Sequence, residues 1–201
     1  MINVKDLLTI LKKNNINFFT GVPDSVLSQF SAHLDNNKSI ENIITGNEGS
    51  AVALAVGHFL AKKKIPCVYM QNSGLGNAIN PLASITHPKV YSIPLLLIIG
   101  WRGSPFRAKD EPQHEVKGKI TKDLLKLLNI KSCVLRNLND LKKLQKLIKY
   151  SETNNRPVCC LIERKTLLPI NKTKNKDLNL KGIQRSHAIE TLLNLVNSRT
   201  R

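Results

Sequence analysis

The sequence predicts an α/β domain built on a parallel sheet with helices on both faces. Short, almost continuous apolar segments alternate with segments of helical periodicity, which is the pattern of a parallel sheet covered on both sides. The chain has 201 residues, of which 41 % are hydrophobic and 22 % charged, enough for one buried core. Polar or glycine-rich turns follow the apolar segments, and such turns carry the functional residues of parallel sheets.

The first half of the chain supplies most of this alternation. We predict a helix over 6–14, a strand from Phe18 into the turn Gly21–Pro23, a helix capped by Asp24 and Ser25, a strand over 40–44, a helix over 48–60 and a strand over 66–70. The segment 72–77 is predicted to be a loop that opens a helix through Ile85. A buried strand is predicted over 93–100.

The second half of the sequence completes the main domain and predicts a linker followed by the start of a second domain. Helices are expected over 121–128 and 138–150, followed by a last strand over 157–162. We place the main domain at 1–168 and a polar, Lys- and Asn-rich linker at 169–185. Helical spacing returns from Ser186 to Val196. We interpret 186–201 as the first helix of a second domain.

Composition excludes several classes of protein. The net charge is +17, but lysines are spread along the chain and aromatic residues are only 4 %, so base-stacking nucleic-acid binding is not favoured. No apolar run reaches the roughly 20 residues of a membrane span, and a signal-peptide pattern is missing, which predicts a cytoplasmic protein. The cysteines, Cys67, Cys133, Cys159 and Cys160, lack zinc-ligand spacing, so we expect free thiols and no metal ligands.

Candidate functional residues all follow predicted strands. They are Asp24, Ser25, Glu48, Arg102 and His114, together with the segment Asn72–Asn77. Each has an ordinary structural explanation: an acid at a helix start complements the dipole, Asp and Ser cap helices, a loop histidine is usually solvated, and an arginine often forms a surface ion pair. Because the carboxyl ends of parallel strands meet at one edge, they are nevertheless expected to form one site.

These residues also resemble a known family. The chain contains, in order, Gly21-Val22-Pro23-Asp24-Ser25, Asn47-Glu48-Gly49, Gln71-Asn72-Ser73-Gly74-Leu75-Gly76-Asn77, Gly100-Trp101-Arg102-Gly103 and Asp110-Glu111-Pro112-Gln113-His114. Over about residues 1–170 it is similar to the N-terminal, pyrimidine-binding domain of the phosphonopyruvate decarboxylases, thiamine-diphosphate-dependent enzymes of phosphonate biosynthesis. The sulfopyruvate decarboxylases share the first three motifs but differ around Trp101 and His114.

The resemblance implies a reaction and roles. In this family the cofactor takes up the electron pair left when a 2-oxo acid loses carbon dioxide. It implies conversion of 3-phosphonopyruvate to 2-phosphonoacetaldehyde, with Glu48 bonded to the cofactor's pyrimidine ring and Asp24 and His114 moving protons. Asn72, Ser73, Gly74, Leu75 and Asn77 would line the cofactor. Ser25, Arg102 and Lys109 would bind the substrate.

The chain departs from the family in one respect, because it contains no Gly-Asp-Gly motif. That motif holds the diphosphate through Mg²⁺ in a second domain, so we expect the chain to need a diphosphate-binding subunit or C-terminal domain and to work in a homo- or hetero-oligomer. The terminal helix resembles the opening of that domain. Alternatives are the alpha subunit of a sulfopyruvate decarboxylase, a non-catalytic remnant or binding module, and a basic nucleic-acid binder.

Overall fold

The fold is described from a computed structural model, which covers residues 1–37, 39–107, 109–169 and 185–199. Its helices are α1 (Val4–Lys13), α2 (Ser28–Asp35), α3 (Glu48–Lys62), α4 (Leu75–Pro81), α5 (Pro112–Leu127), α6 (Leu141–Asn154) and α7 (Arg185–Arg199). Its strands are β1 (Phe18–Gly21), β2 (Glu41–Ile44), β3 (Cys67–Gln71), β4 (Leu96–Trp101), β5 (Lys131–Leu135) and β6 (Val158–Glu163).

The strands form one parallel sheet in the order β2-β1-β3-β4-β6-β5. From β1 the chain crosses to β2 on one side and later to β3 on the other. In open parallel sheets this change of direction opens a crevice at the carboxyl ends of the strands. Turns carrying Asp24 and Glu48 follow β1 and β2, so the topology brings both acids to this edge.

Two apolar layers cover the sheet, as the predicted fold class requires. Successive residues of a strand point to opposite faces, and in β3 Tyr69 joins one layer while Val68 and Met70 join the other. Helices α1, α2 and α6 pack on the first face, and α3, α4 and α5 pack on the second. The predicted α/β architecture is therefore confirmed.

Several boundaries differ from the predictions. Strand β5 was not predicted, because this edge strand is polar and only Leu135 of it is buried. The segment Asn72–Gly74 is a 3₁₀ turn leading directly into α4, not a loop. Helix α5 begins at Pro112 rather than near Thr121, because proline is favoured at the first helical position. His114 thus lies in the first turn of a helix and not in a loop.

The chain divides into two compact units, Met1–Pro169 and Ile170–Arg201. The first contains the whole sheet. In the second, the helix predicted from Ser186 to Val196 is present as α7. Nearly all of the predicted linker lies outside the described residues. Within the part of the chain that is described, no helix is both long and apolar enough to cross a bilayer.

Candidate functional site

Glu48 occupies the first position of α3, but it does not cap that helix. The side chain of Asn47 does so by accepting hydrogen bonds from the backbone N–H groups of Gly49 (2.7 Å) and Ser50 (3.4 Å). Glu48 instead turns toward α4, where its Oε2 accepts a hydrogen bond of 2.8 Å from Asn77 Nδ2. The carboxylate is therefore not needed to cap the helix, and its charge in the first turn still complements the helix dipole.

Gly74 makes room for the Glu48 carboxylate. A Cβ atom added at Gly74 would overlap the carboxylate of Glu48, whereas one added at Gly76 would meet nothing within 4 Å. Glu48 remains only half-buried in the chain. Glu48, Gly74 and Asn77 thus form a small group, here called the Glu48 corner, in which a carboxylate is oriented yet remains partly open to solvent.

The outer side of α3 is apolar and uncovered. A cleft of about 590 Å³ lies there between α3 and the first two strands, with Phe18, Ile43, Leu54 and His58 among its lining residues. Ile43 and Leu54 expose 38 % and 41 % of their surfaces. Burial lowers the pKa of His58, which favours the neutral imidazole. The neutral ring forms part of the apolar lining of the cleft. Exposed apolar residues that adjoin in this way are available for contact with another protein surface.

Asp24 lies at the carboxyl edge beside β4. It is 6 % exposed, and a Cβ atom at Gly100 would overlap its Oδ2. Oδ2 accepts a hydrogen bond of 3.3 Å from the backbone N–H of Leu27, whereas buried Oδ1 has no hydrogen-bond partner among the described residues. Burial raises the pKa of Asp24, although backbone hydrogen bonds and the charge of Arg102 oppose it. This carboxyl group therefore holds its proton to a higher pH than an exposed one.

Arg102 was predicted to grip an anion, but its guanidinium is already engaged. Nε donates to Asp110 Oδ2 at 2.8 Å and Nη2 donates to Asp110 Oδ1 at 2.7 Å. Asp110 also accepts from the backbone N–H of Gly103 at 3.0 Å. The Arg102 hydrogen bonds hold the pKa of Asp110 well below its usual range. An anionic ligand at Arg102 would have to compete with this carboxylate.

Asn72 joins β3 to the β4–α5 loop, whose described residues are 102–107 and 109–111. Its Oδ1 accepts from the backbone N–H of Arg102 at 3.0 Å, and its Nδ2 donates to the Arg102 carbonyl and to Thr121 Oγ1, each at 3.0 Å. Both ends of the amide are thereby committed to the protein. Asn72 orders the segment that also carries Gly74, and so it links the Arg102 side of the edge to the Glu48 corner.

His114 approaches the same loop from α5. Gly103 has a φ of +66°, and a Cβ atom there would overlap the carbonyl of His114. The Nδ1 atom of His114 is buried and has no hydrogen-bond partner among the described residues. Its Nε2 lies 3.8 Å from Glu111 Oε2. The ring is therefore held at the edge with one nitrogen unsatisfied.

The other predicted site residues have varied surroundings. Ser25 is exposed and Ser73 half-buried. Leu75 is fully buried in the layer under α3 and α4, so its side chain is a core residue. The Lys109 side chain is 84 % exposed, and its Nζ lies 3.7 Å from Glu115 Oε1. The described chain contains no cluster of three or more His, Cys, Asp or Glu residues suited to a metal ion.

Sequence reasoning missed the partners that hold this edge together. Asp110 was noted only as part of a motif, and Thr121 and Glu163 were not considered as site residues. Their only signal is position: Asp110 follows the Trp101–Gly103 turn, and Glu163 ends a buried strand. A charged residue at the end of such a strand requires a partner when it is buried, but the sequence does not identify that partner.

Known proteins are similar to this chain in sequence. The phosphonopyruvate decarboxylase of Streptomyces viridochromogenes is 37 % identical over 140 residues, which cover 70 % of this chain and 34 % of that protein. The sulfopyruvate decarboxylase subunit alpha of Methanocaldococcus jannaschii is 42 % identical over 93 residues, covering 46 % of this chain and 53 % of that subunit. The chain thus spans about a third of the length of the phosphonopyruvate decarboxylases that it matches.

Solved structures support the fold. The thiamine diphosphate-dependent 4-hydroxybenzoylformate decarboxylase of Rhodococcus jostii RHA1 superposes with a TM-score of 0.61 at 18 % identity, over 84 % of this chain and 32 % of that one. Residues 3–122 match the family described as thiamine pyrophosphate enzyme, N-terminal TPP binding domain. The resemblance found in the motifs is therefore confirmed, and the chain belongs to the thiamine pyrophosphate enzymes through this N-terminal domain.

Proposed function

We propose that the chain is the pyrimidine-binding part of a thiamine-diphosphate-dependent decarboxylase that converts 3-phosphonopyruvate to 2-phosphonoacetaldehyde and carbon dioxide. The observation that carries the proposal is the Glu48 carboxylate, which is oriented by Asn77 at 2.8 Å and is not needed to cap its own helix. Membership of the family indicates thiamine diphosphate as the cofactor, and the order of the motifs favours a decarboxylase. The whole reaction requires a second, diphosphate-binding part.

The residues of the Glu48 corner fit an aminopyrimidine ring. One carboxylate oxygen accepts the Asn77 hydrogen bond, and the group as a whole is half-buried. Glu48 would hold a proton between its carboxylate and a ring nitrogen, with Ser73, Gly74 and Asn77 lining the cofactor. Leu75 packs beneath them in the core, and Asn72 would order the segment. When bound, thiamine diphosphate supplies an electron sink for decarboxylation.

Asp24 and His114 would handle protons on the substrate side. The raised pKa of Asp24 and its unpaired Oδ1 suit a carboxyl group that donates a proton. His114 offers an unsatisfied ring nitrogen at the same edge. Ser25 and Lys109 are exposed and would contact the substrate's acidic groups together with Arg102, whose charge Asp110 already balances in part.

The second part of the enzyme would supply what this chain lacks. We propose that a diphosphate-binding subunit or C-terminal domain holds the diphosphate and Mg²⁺, in a homo- or hetero-oligomer located in the cytoplasm. The absence of a Gly-Asp-Gly motif supports this division. So does the uncovered apolar cleft on α3, the helix that begins with Glu48.

Substrate choice is the finer part of the proposal. Phosphonopyruvate is favoured by the motifs around Trp101 and His114, and by a match that covers 70 % of this chain. Sulfopyruvate is the alternative, because alpha subunits of that decarboxylase are also similar to the chain and are themselves single parts of an enzyme. Both substrates are multiply charged 2-oxo acids: sulfopyruvate is a dianion, and phosphonopyruvate is a dianion or trianion near neutral pH, so charge alone separates them poorly.

The test is reconstitution with a diphosphate-binding partner, thiamine diphosphate and Mg²⁺. We expect carbon dioxide release from phosphonopyruvate and much slower release from sulfopyruvate. The reverse preference would favour the alternative substrate. No release from either substrate would favour a non-catalytic binding module. The chain alone is expected to release none, and activity without a partner would contradict the proposed division.

A further inference from the structure

Glu163 is a buried acid for which the proposed chemistry has no use. It ends β6, and only 1 % of its surface is exposed. Burial by itself raises the pKa of Glu163, but hydrogen bonds from Arg136, Ser104 and Arg107 outweigh this and lower it below its usual value. The group is therefore a carboxylate at neutral pH, and a buried carboxylate at the functional edge requires an explanation.

Glu163 binds two groups of the β4–α5 loop. Ser104 Oγ donates to Oε1 at 2.9 Å, and Arg107 Nε donates to Oε2 at 2.7 Å. Ser104 is itself buried, whereas the Arg107 side chain remains 43 % exposed. These bonds fix the middle of the loop to the end of a central strand, independently of the Arg102–Asp110 pair that closes the loop on itself.

Arg136 binds the same carboxylate with two hydrogen bonds. Its Nε donates to Oε2 at 3.1 Å and its Nη2 donates to Oε1 at 2.9 Å. Arg136 follows β5 and lies outside the loop, and its guanidinium also packs on the ring of Phe106 in the loop, 5.0 Å from the ring centroid. Glu163 is therefore paired with Arg136, outside the loop, and with Ser104 and Arg107 in the loop. The two bonds from the loop can be removed while the acid keeps Arg136 as a bidentate partner.

The fixed loop is continuous with the candidate substrate residues. Ser104 follows Gly103, whose backbone lies against the His114 carbonyl, and Arg102 precedes them. A displacement of Ser104 would therefore shift both Arg102 and the first turn of α5. The Glu48 corner should shift less, because the Glu48 carboxylate is oriented by Asn77 of α4 and the loop reaches the corner only through Asn72 and the segment that carries Gly74.

We propose that Glu163 is a positioning residue, which fixes the β4–α5 loop so that Arg102 and His114 meet the substrate in a productive arrangement. It does not touch the substrate. The inference rests on the proposed decarboxylase function for its kinetic consequence. Its structural consequence, order in the loop, can be measured on the chain without any turnover.

The test uses the double variant Ser104→Ala/Arg107→Met, which removes both donors to Glu163 from the loop and leaves the Glu163–Arg136 pair intact. In hydrogen–deuterium exchange, protection of the loop amides should fall about 10-fold or more, and by more than the protection of the β4 amides, which reports the stability of the whole sheet. In the reconstituted enzyme, KM for the 2-oxo acid should rise about 10-fold with a smaller change in kcat. The affinity for thiamine diphosphate should stay within about 2-fold of wild type.

Two further variants separate positioning from general stability. Ser151→Ala removes a 2.6 Å hydrogen bond from a buried side chain on α6 to the Arg156 carbonyl, outside the loop and the Glu163 cluster, and should leave loop exchange and KM unchanged. Arg107→Lys keeps a cation that can donate to Glu163. Its KM for the 2-oxo acid should therefore lie close to the wild-type value. A structural role alone would give a lower Tm with no selective change in KM.

The inference is overturned if the double variant leaves loop exchange unchanged, or if it loosens the loop without altering KM. A wild-type reconstituted enzyme without decarboxylation would refute the proposed function and the kinetic role of Glu163 with it. Loop exchange would still decide whether Glu163 orders the loop, so the two failures are distinguishable.

Discussion

The two sides of the site are held in different ways. At the Glu48 corner, one side-chain hydrogen bond from exposed Asn77 orients a half-buried carboxylate. Across the sheet edge, the β4–α5 loop is tied by Asn72, Asp110 and Glu163 through several buried hydrogen bonds. The loop side is therefore rigid in this chain alone, whereas the Glu48 side has room for contacts from a cofactor and a partner.

This contrast predicts that substitutions will separate activity from stability. At the Glu48 corner few interactions support the fold, so changes should reduce turnover and leave unfolding unaffected. In the β4–α5 loop, changes should lower the free energy of unfolding as well. Four variants test the contrast, in order of decreasing expected effect.

Glu48→Gln should have the largest effect, because it keeps the shape of the side chain but cannot hold a proton on the cofactor. Turnover by the reconstituted enzyme should fall at least about 100-fold, with Tm within about 1 °C of wild type. Glu152→Gln, which changes an exposed acid on α6, is the matched control and should retain full activity. Near-normal turnover of the Glu48 variant would refute the proposed role.

Asp110→Ala should destabilise the chain, because it leaves the Arg102 guanidinium without its bidentate partner. Breaking such a partly buried pair should cost about 2 kcal/mol or more in the free energy of unfolding, measured by urea denaturation. Glu115→Ala, which breaks the exposed pair with Lys109, should cost less than about 1 kcal/mol. Equal costs for the two variants would contradict the rigidity assigned to the loop.

Gly74→Ala should reduce activity by displacing the Glu48 carboxylate. The added methyl group overlaps the far end of a flexible side chain, which can turn away at little cost to folding. Turnover should fall about 10-fold. Gly76→Ala adds the same group into open space and should retain activity, so a comparable loss in both variants would point to α4 itself and not to Glu48.

Asp24→Asn should stabilise the chain at neutral pH and show the smallest effect. The folded pKa of Asp24 lies above its ordinary value of 3.8, so the unfolded chain ionises first as the pH rises and the fold loses stability through that window. Asn removes this penalty and should raise Tm by about 2–4 °C at neutral pH.

The pH dependence of the gain in Tm of the Asp24→Asn variant is the control. It should shrink as the pH is lowered through 3.8 and disappear well below that value, where Asp24 is protonated in both folded and unfolded chains. A gain that does not change with pH would indicate an effect of shape or hydrogen bonding, and not of the buried charge.

The fold was largely predictable because local patterns determine it. Apolar runs such as 66–70 and 93–100 lie close to β3 and β4, and small residues after Glu48 form α3 as expected. Strand β5 was missed because it lies at the edge of the sheet, where pairing with β6 alone stabilises polar residues such as Lys131. Edge strands lack the apolar pattern of buried ones.

The site was predictable only as a set of positions. Because parallel strands end at one edge, Asp24, Glu48 and Arg102 could be placed there without coordinates. Their pairings could not be predicted: Glu163 meets Ser104 across 59 residues and Asn72 meets Thr121 across 49. Such partners depend on the order of the strands, which no local pattern in the sequence encodes.

The contact between Gly103 and Gly118 has a consequence for how the sequence can change. A Cβ atom on either residue would overlap backbone atoms on the opposite side of the contact, so neither glycine can be replaced alone without pushing α5 away from the end of β4. Gly103 also has a φ of +66°, so a side chain there would cost backbone strain even after α5 had moved. A change at Gly118 is therefore the more accessible of the two, and a helix shifted by it would present a differently placed His114.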